Sequence, residues 1–451
     1  MKNTVNGNKD FYKMAFSLVM PMALQNLINV GINSIDILFL GKVSETVLSA
    51  ASLAGQLQFI MILIFFGLTS GAAVLTAQYW GKGDTESIEK IMGISMRFSL
   101  IISVVFTVIA LVFPSQVMKI FTSEAPVIAE GIKYLRIIAL SYIFMAVTMI
   151  YLNIMRSVEQ VVVSTVTYLV SFIVNIIIAL VTIFGLFGVP KMGIQGAAIA
   201  TLSSRIAGLV CVYIYAKKYN KVIHFRLSSV FVHDKLLFRD FLVYSIPVTV
   251  NELMWGAGVA MNSVVIGHLG SSVVSANSVA QITRQLATVI TFGIANATAV
   301  IVGKAIGENN FEAAKDYSRR FTKLSIIAGI LGAIIVLITR PIAMAGLNLT
   351  PTTQNHLSVM MFVMSYFVIA QAYNTTLVVG VFRGGGDTRF GLYLDVITMW
   401  GGSILLGALA AFIFNWSVPV VYIILMSDEI IKIPLITLRY KSQKWLNNVT
   451  R

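Results

Sequence analysis

Gln25, Asn26, Asn29, Asn33 and Asp36 interrupt an otherwise apolar stretch near the start of the chain. In a helix, three- and four-residue spacing puts Asn29, Asn33 and Asp36 on one face, with Gln25 a turn below. A carboxylate ending a row of amides offers ligands to a proton or a small cation. The same row can instead act as an interhelical hydrogen-bond cluster that holds helices together. A second acid, Glu252, follows Pro247 by five residues. Proline inside a helix frees carbonyl groups of the preceding turn, which can coordinate a cation or a water. Glu252 is thus a candidate for cation or proton coupling, and a metal ligand only if the ion is Na+. Burial as an ion pair with a base such as Arg284 is the alternative.

Arg205 and Arg284 also fall in apolar stretches, and both read as structural partners because an unpaired guanidinium is costly to bury. Asp395, beside Tyr393 and close to Arg389, suits a membrane interface or a cavity. Asp428, Glu429 and Lys432 have the spacing to neutralise one another along a helix. Asn262, Gln281, Gln371, Tyr373 and Asn374 complete the polar candidates for a cavity lining.

Composition dictates which elements carry these residues. The chain has 451 residues, 57% hydrophobic and 12% charged, whereas soluble domains carry about 25% charged residues. That much apolar surface requires lipid as solvent. The apolar blocks match the roughly 20 residues a helix needs to cross the bilayer, and the ~10-residue alternation of a membrane barrel is missing. The fold class is an all-α membrane protein of about twelve transmembrane helices. Spans are expected near 15–39, 52–79, 93–114, 132–154, 161–184 and 192–216, then 241–266, 278–303, 318–340, 357–379, 390–413 and 417–438. The net charge of +14 reads as basic cytoplasmic loops and not as a nucleic-acid surface, since Lys and Arg collect on the cytoplasmic side. Both termini are then cytoplasmic. The N-terminus has no small-residue cleavage site ahead of its first apolar block, so no signal peptide is expected. The single cysteine, Cys211, lies in an apolar span and excludes an intrachain disulfide.

The chain repeats itself. An offset of 226 residues carries Pro21 onto Pro247, Gly41 onto Gly267, Phe66-Gly67 onto Phe292-Gly293, Gly81 onto Gly307 and Glu86 onto Glu312. One further inserted residue aligns Arg156 with Arg383. Six helices per half give both halves the same orientation, so the repeats are parallel about an axis along the membrane normal and place a central cavity at their interface. The expected organisation is a cytoplasmic tail over 1–14, an N-lobe over 15–216, a basic linker over 217–240 that includes Lys218, Lys221, Arg226 and Lys235, a C-lobe over 241–438, and a cytoplasmic tail over 439–451. The acids do not repeat: Asn262 aligns with Asp36, and Glu252 aligns with Asn26.

Other chemistries fail on their residues. Gly384-Gly385-Gly386-Asp387 lacks the frame of a phosphate-binding loop and reads as a tight cytoplasmic turn. His224, His233, His268 and His356 are scattered and expected in connections, which leaves no zinc site or protease triad. The many methionines, including Met360, Met361 and Met364, suit helix packing more than a drug pocket. An enzyme is not expected, and neither is a cofactor beyond a coupling ion.

Several motifs carry a family resemblance over nearly the whole chain. The run from Pro21 through Asp36-Ile-Leu-Phe-Leu-Gly41, its repeat ending Val265-Ile-Gly267-His-Leu-Gly270, Gly81-Lys-Gly83 with Gly307-Glu-Asn, and Phe382-Arg-Gly-Gly-Gly-Asp387-Thr-Arg389 resemble multidrug and toxic compound extrusion (MATE) transporters. The resemblance implies a bacterial plasma-membrane antiporter that exports amphipathic, often cationic drugs or dyes against H+ or Na+ by alternating access. Its partners are those small molecules and membrane lipid, and a monomer is expected. Carried over by position, the first-lobe coupling site uses Asp36, Asn175 and Thr201, and the second-lobe site uses Glu252. The chain departs from the family pattern at Ala179, where an acid is common, and in Gln371-Ala-Tyr-Asn374-Thr-Thr376, where another often lies. Each lobe is then left with one obvious acid, which favours H+ over Na+ at Asp36, since Na+ asks for more oxygen ligands and more negative charge. The rival readings are a lipid or lipid-linked glycan flippase, for which several cavity arginines would be expected, and more remotely a channel or a membrane-embedded enzyme.

Overall fold

The computed structural model describes residues 8–223, 231, 234–346 and 350–451, without the side chains of Asn8, Lys9 and Asn33. Arg226, His224 and His233 lie outside the described residues. The helices are α1 (Asn8–Gly41), α2 (Glu45–Lys82), α3 (Thr85–Val112), α4 (Pro114–Phe121), α5 (Ala125–Ile138), α6 (Ser141–Ser157), α7 (Val162–Phe184) and α8 (Ile194–Ile214). The second half continues with α9 (Lys235–His268), α10 (Ser271–Gly307), α11 (Phe311–Gly346), α12 (Pro351–Thr375), α13 (Thr388–Asp395), α14 (Leu405–Phe412), α15 (Val418–Leu425) and α16 (Asp428–Lys441). Wider π-helical turns extend α8 through Tyr215–Tyr219, extend α12 through Thr376–Phe382, and join α13 to α14 through Val396–Ile404.

Among the described residues, nine helices are long and apolar enough to span a bilayer unaided, and α5 with α6, bent by 52°, make a tenth. The 34-residue α9 has the length, but Asn251, Glu252 and Asn262 dilute its apolar character. With α15–α16 it completes the twelve expected spans. His268 ends α9 and His356 sits inside α12, so these two histidines lie on helices and not in connections. No metal-binding group of His, Cys, Asp or Glu forms among the described residues.

The helices are built inside out, as lipid solvation demands. On α3, Ser95, Ser99, Ser103 and Thr107 recur every fourth residue and are buried, while Ile101, Val104, Val108 and Val112 are exposed. Ser95 and Ser103 donate to carbonyls of their own helix, and Thr107 donates to the Ala139 carbonyl at the α5–α6 corner (3.1 Å). Such internal bonds satisfy hydroxyls that lipid cannot.

The duplication is visible in the helix starts. Residues 45, 85, 125 and 162 begin α2, α3, α5 and α7, and residues 271, 311, 351 and 388 begin α10, α11, α12 and α13, each 226 later. Packing sorts the chain into two compact units. One holds the described residues through Asn26, Ala77–Gly83 and Ile246–Arg451; the other holds Leu27–Thr76 and Asp84–Ser245. The first half of α1 thus packs with second-half helices: Phe11 stacks on Tyr317 (5.6 Å) and meets Phe321 edge-on (5.1 Å). Reciprocally, Phe238 and Phe241 of α9 stack on Phe98 of α3 (5.8 and 5.6 Å). Both exchanged segments end close to the helix-interior prolines, Pro21 and Pro247.

Within the second-half unit, the ends of α2 and α10 cross at van der Waals contact. A Cβ on Gly81 would strike the Lys304 carbonyl, and a Cβ on Gly307 would strike the Gln78 carbonyl. These positions are repeat partners, since 78 and 81 map onto 304 and 307. Gln78 then ties in the C-terminal segment: its Nε2 donates to the carbonyls of Gly384 (2.9 Å) and Asn447 (3.1 Å), and its Oε1 accepts from Val449 N (2.8 Å). Trp445 of that segment is buried against Gly385, and Asp387 pairs with Arg439 (2.7 Å). The triple-glycine turn is packed against protein, not arranged around a phosphate. A Gly307→Ala substitution should therefore cost about 1–3 kcal/mol of stability through overpacking. Gly267→Ala, with open space at its Cβ, should leave the thermal midpoint of the purified protein within a degree or two of the parent.

Candidate ion-coupling site

Glu252 does not stand alone in its unit. Arg383, just past the π-helical end of α12, meets it at 2.7 Å, with both side chains largely buried. The same Nη2 donates to Asn251 Oδ1 (3.1 Å), and Asn251 Nδ2 donates to Asp395 Oδ2 (2.6 Å). Asp395 Oδ1 receives Lys432 Nζ (2.8 Å), which also contacts Asp428 (3.1 Å) and Glu429 (3.3 Å). Asn374 Nδ2 closes the chain on Glu429, donating to Oε2 (2.7 Å) and to the backbone carbonyl (2.6 Å). A continuous network thus runs from α9 through the end of α12 and α13 to α16, with four carboxylates facing two cations.

The base opposite Glu252 is consequently Arg383 and not Arg284. Arg284 instead holds Gln281 Oε1 (2.8 Å) and Gln371 Oε1 (3.3 Å) and lies over the Phe367 ring. The expectation of a single obvious acid in this half is also corrected: the α12 segment lacks one, but Asp395, Asp428 and Glu429 arrive from α13 and α16. Lys432 does pair with Asp428 and Glu429 along α16, and it reaches Asp395 as well. Tyr373 leaves the network and hydrogen-bonds Thr437 (2.8 Å).

The other unit places Asp36 differently. It sits in the last turns of α1, half-buried, and interacts electrostatically with Arg205 of α8 and Tyr134 of α5. A Cβ placed on Gly31 would meet the Phe172 ring at 3.6 Å, and Phe39 meets Phe184 edge-on (5.7 Å), so α1 runs alongside α7 on both sides of Asp36. Asn175 of α7 is buried at 1% exposure, and among the described residues neither its Oδ1 nor its Nδ2 has a hydrogen-bond partner; the same is true of Asp36 Oδ1. Thr201 is half-buried on α8, one turn before Arg205. Asn29 is exposed, Gln25 is buried and Asn26 is half-buried, so the polar stripe does not keep a single environment along α1. Asn26 and Gln25 belong to the second-half unit. Asn262, the repeat partner of Asp36, is half-buried, and its Oδ1 has no partner among the described residues.

Sequence reasoning missed Arg383 and Asn251 as partners of the α9 acid. The available signal was the register that matches Arg156 to Arg383, which puts an arginine at one place in both halves.

A family model described as MatE matches residues 21–181 and 247–409, which covers both repeats. The chain belongs to the MATE family of transporters. A probable multidrug resistance protein, YoeA of Bacillus subtilis, is 24% identical over 392 residues, covering 85% of this chain and 83% of that one. A probable multidrug resistance protein, NorM of Rhizobium meliloti, is 25% identical over 396 residues, covering 86% and 84%. Among solved structures, a MOP superfamily transporter from Pyrococcus furiosus superimposes with a TM-score of 0.87 at 18% identity, covering 96% of this chain and 95% of that one. A MATE structure in the bent conformation gives 0.85 at 18% identity and 96% coverage of both chains. The fold is therefore the MATE fold, and this chain is a multi-pass membrane transporter, not an enzyme.

Removing one member of a buried ion pair strands the other charge, at about 3–5 kcal/mol. Arg383→Gln should accordingly lower the denaturation midpoint of this MATE protein by several degrees, and Glu252→Gln added to it should restore much of the loss. A double variant no more stable than Arg383→Gln would show that the two charges are not coupled.

Proposed function

We propose that this chain is a secondary multidrug efflux antiporter that exports amphipathic, cationic organic compounds in exchange for H+ or Na+ by alternating access. The names of its relatives support a multidrug cargo. The proposal places it in a bacterial plasma membrane, as a monomer with both termini cytoplasmic.

The observation that carries the coupling reading is the set of buried, unpartnered polar atoms around Asp36. Asp36 Oδ1, Asn175 Oδ1 and Asn175 Nδ2 lack hydrogen-bond partners among the described residues, and a buried polar group without one is costly. Atoms in that state suit an ion, a proton or a cargo group that arrives and leaves. Of the two coupling ions, H+ fits Asp36 better. Na+ favours several oxygen ligands with more negative charge, and Arg205 already competes for this carboxylate. A proton needs only one carboxylate oxygen.

Dye efflux in everted vesicles, with ΔpH and ΔpNa imposed separately, tests cargo and ion together. The wild-type chain should move dye under ΔpH. Asp36→Asn should reduce ΔpH-driven movement to the background of empty vesicles while the protein stays in the membrane at parental levels. Undiminished efflux by Asp36→Asn would remove Asp36 from the coupling site, and efflux under ΔpNa alone would reassign the ion.

A further inference from the structure

Arg156 lies in the last turn of α6, half-buried, and the register of the repeat matches it to Arg383. The two arginines have different surroundings. Arg383 Nη2 donates to Glu252 Oε1 (2.7 Å) and to Asn251 Oδ1 (3.1 Å). Arg156 makes no ion pair and no side-chain hydrogen bond among the described residues, and its Nε is buried without a partner there. The undescribed residues contain no Asp or Glu, so no side-chain carboxylate comes from them. Glu159, the nearest acid along the chain, lies beyond the helix end in a left-handed turn (φ 65°) and does not pair with Arg156. In the register, Asn26 stands where Glu252 stands, so the first half offers this arginine an amide in place of an acid.

The pairing of α6 with α7 defines what the guanidinium faces. Ser164 Oγ of α7 donates to the Leu152 carbonyl of α6 (3.3 Å), and Gln160 N donates to Met155 O (2.8 Å) in the turn between them. The two helices are therefore antiparallel, with Leu152 level with Ser164. Helical side chains lean toward the N-terminus of their own helix. Arg156, one turn after Leu152, and Tyr168, one turn after Ser164, thus lean toward each other. Among the described residues, Tyr168 is the titratable side chain that acts on Arg156. It is half-buried, on the side of α7 away from the exposed apolar stripe of Val162, Val166, Leu169, Ile173 and Ile177. Arg205 of α8 also acts on Tyr168, but Arg205 has Asp36 as its acid. Two guanidinium groups therefore flank one tyrosine with a single carboxylate to share, and Arg156 keeps a whole positive charge uncompensated.

We propose that Arg156 and Tyr168 form a binding site for a small monovalent carboxylate in the first-half unit. Charged side chains within membrane spans pair with an opposite charge or line a wet cavity. The second half shows which partner an arginine takes at this register, a carboxylate oxygen, and supplies it from its own chain as Glu252. The first half leaves that place to a solute. One carboxylate balances one guanidinium, whose planar fork matches its two oxygens, and the phenol hydroxyl adds a further donor. A free acid anion and the carboxylate of a larger amphipathic molecule present the same chemistry. The site goes beyond the antiport reading and does not require it, since binding to the protein is its whole content.

Thermal denaturation of the purified full-length protein tests this, with sodium formate, acetate, phenylacetate, chloride or morpholinoethanesulfonate titrated at equal concentrations. Morpholinoethanesulfonate, a bulky anion, reports ionic strength alone. The parent midpoint should rise by a few degrees, saturably, with formate, acetate or phenylacetate, and less with chloride. Formate and acetate read the free anion, and phenylacetate reads the carboxylate of an amphipathic molecule. Arg156→Gln should lose the saturable response, and its midpoint in morpholinoethanesulfonate should equal or exceed that of the parent, because an uncompensated charge has been removed. Tyr168→Phe should keep the plateau and raise the half-saturating concentration several-fold. If Arg156→Gln does not survive purification, Arg156→Lys carries the comparison: it keeps the charge and loses the fork, so half-saturation should rise about tenfold. An unchanged titration in Arg156→Lys, or a saturable response that persists in Arg156→Gln, overturns the proposal. So does a rise of equal size in all five salts, or a chloride response matching the carboxylates, which would make the site a halide site. Dye efflux does not enter the measurement, so failure of the transport reading and failure of this site are distinguishable.

Discussion

An ionised side chain carried into a hydrocarbon layer must find a counter-charge or a set of hydrogen bonds, because lipid supplies neither. The second-half unit meets this requirement as a single connected system. Arg383 serves both Glu252 and Asn251, Asn251 relays to Asp395, and Lys432 gathers Asp395, Asp428 and Glu429. Remove Arg383 or Lys432 and at least one carboxylate loses its counter-charge, which ties elements from α9 to α16 into one arrangement. The π-helical turns at Thr376–Phe382 and Val396–Ile404 lie next to this system. Wide turns of this kind occur frequently at functional sites, and here they flank Arg383 and Asp395.

Backbone packing follows a different rule from the charges. The Gly81–Lys304 and Gly307–Gln78 approaches are two copies of one contact, related by the repeat. Small residues let membrane helices approach closely, and close approach gives the dispersion contact that replaces the hydrophobic effect in lipid. Both halves must keep these glycines for the crossing to form, so duplication is preserved there. Nothing similar protects the polar side chains: Gln25 and Asn26 stand where Asn251 and Glu252 stand in the second half, and Asn262 stands where Asp36 does.

That difference explains what could be read from the chain alone. Span positions were legible because a bilayer enforces helices of roughly 20 apolar residues, and the duplication was legible because glycine and proline mark backbone geometry. Asp36 could be identified as an isolated acid with amides at helical spacing. The partner of Glu252 could not, because Arg383 is 131 residues away and Arg284 was much the nearer base along the chain. The acids from α13 and α16 were hidden for a related reason. Each had a bland local explanation, an interfacial position for Asp395 and neighbouring opposite charges for Asp428 and Glu429, and only tertiary structure unites them around Lys432.

The two acids singled out for coupling are consequently in different physical situations. For Glu252 to take up a proton or cation, its 2.7 Å bridge to Arg383 must be broken, which leaves a buried guanidinium short of a counter-charge. That cost falls on every turnover unless another anion of the network takes Arg383 over, and Asp395 is only one amide away. Asp36 faces no such exchange of partners among the described residues, because it feels Arg205 through space and retains an oxygen to which none of them hydrogen-bonds. Under the antiport reading, a ligand reaching Asp36 adds an interaction without first destroying one. An equilibrium between two states is biased only by differential binding free energy, and a site with an unmet hydrogen-bonding requirement supplies it most directly. The network around Glu252 suits the opposite task of holding one unit rigid.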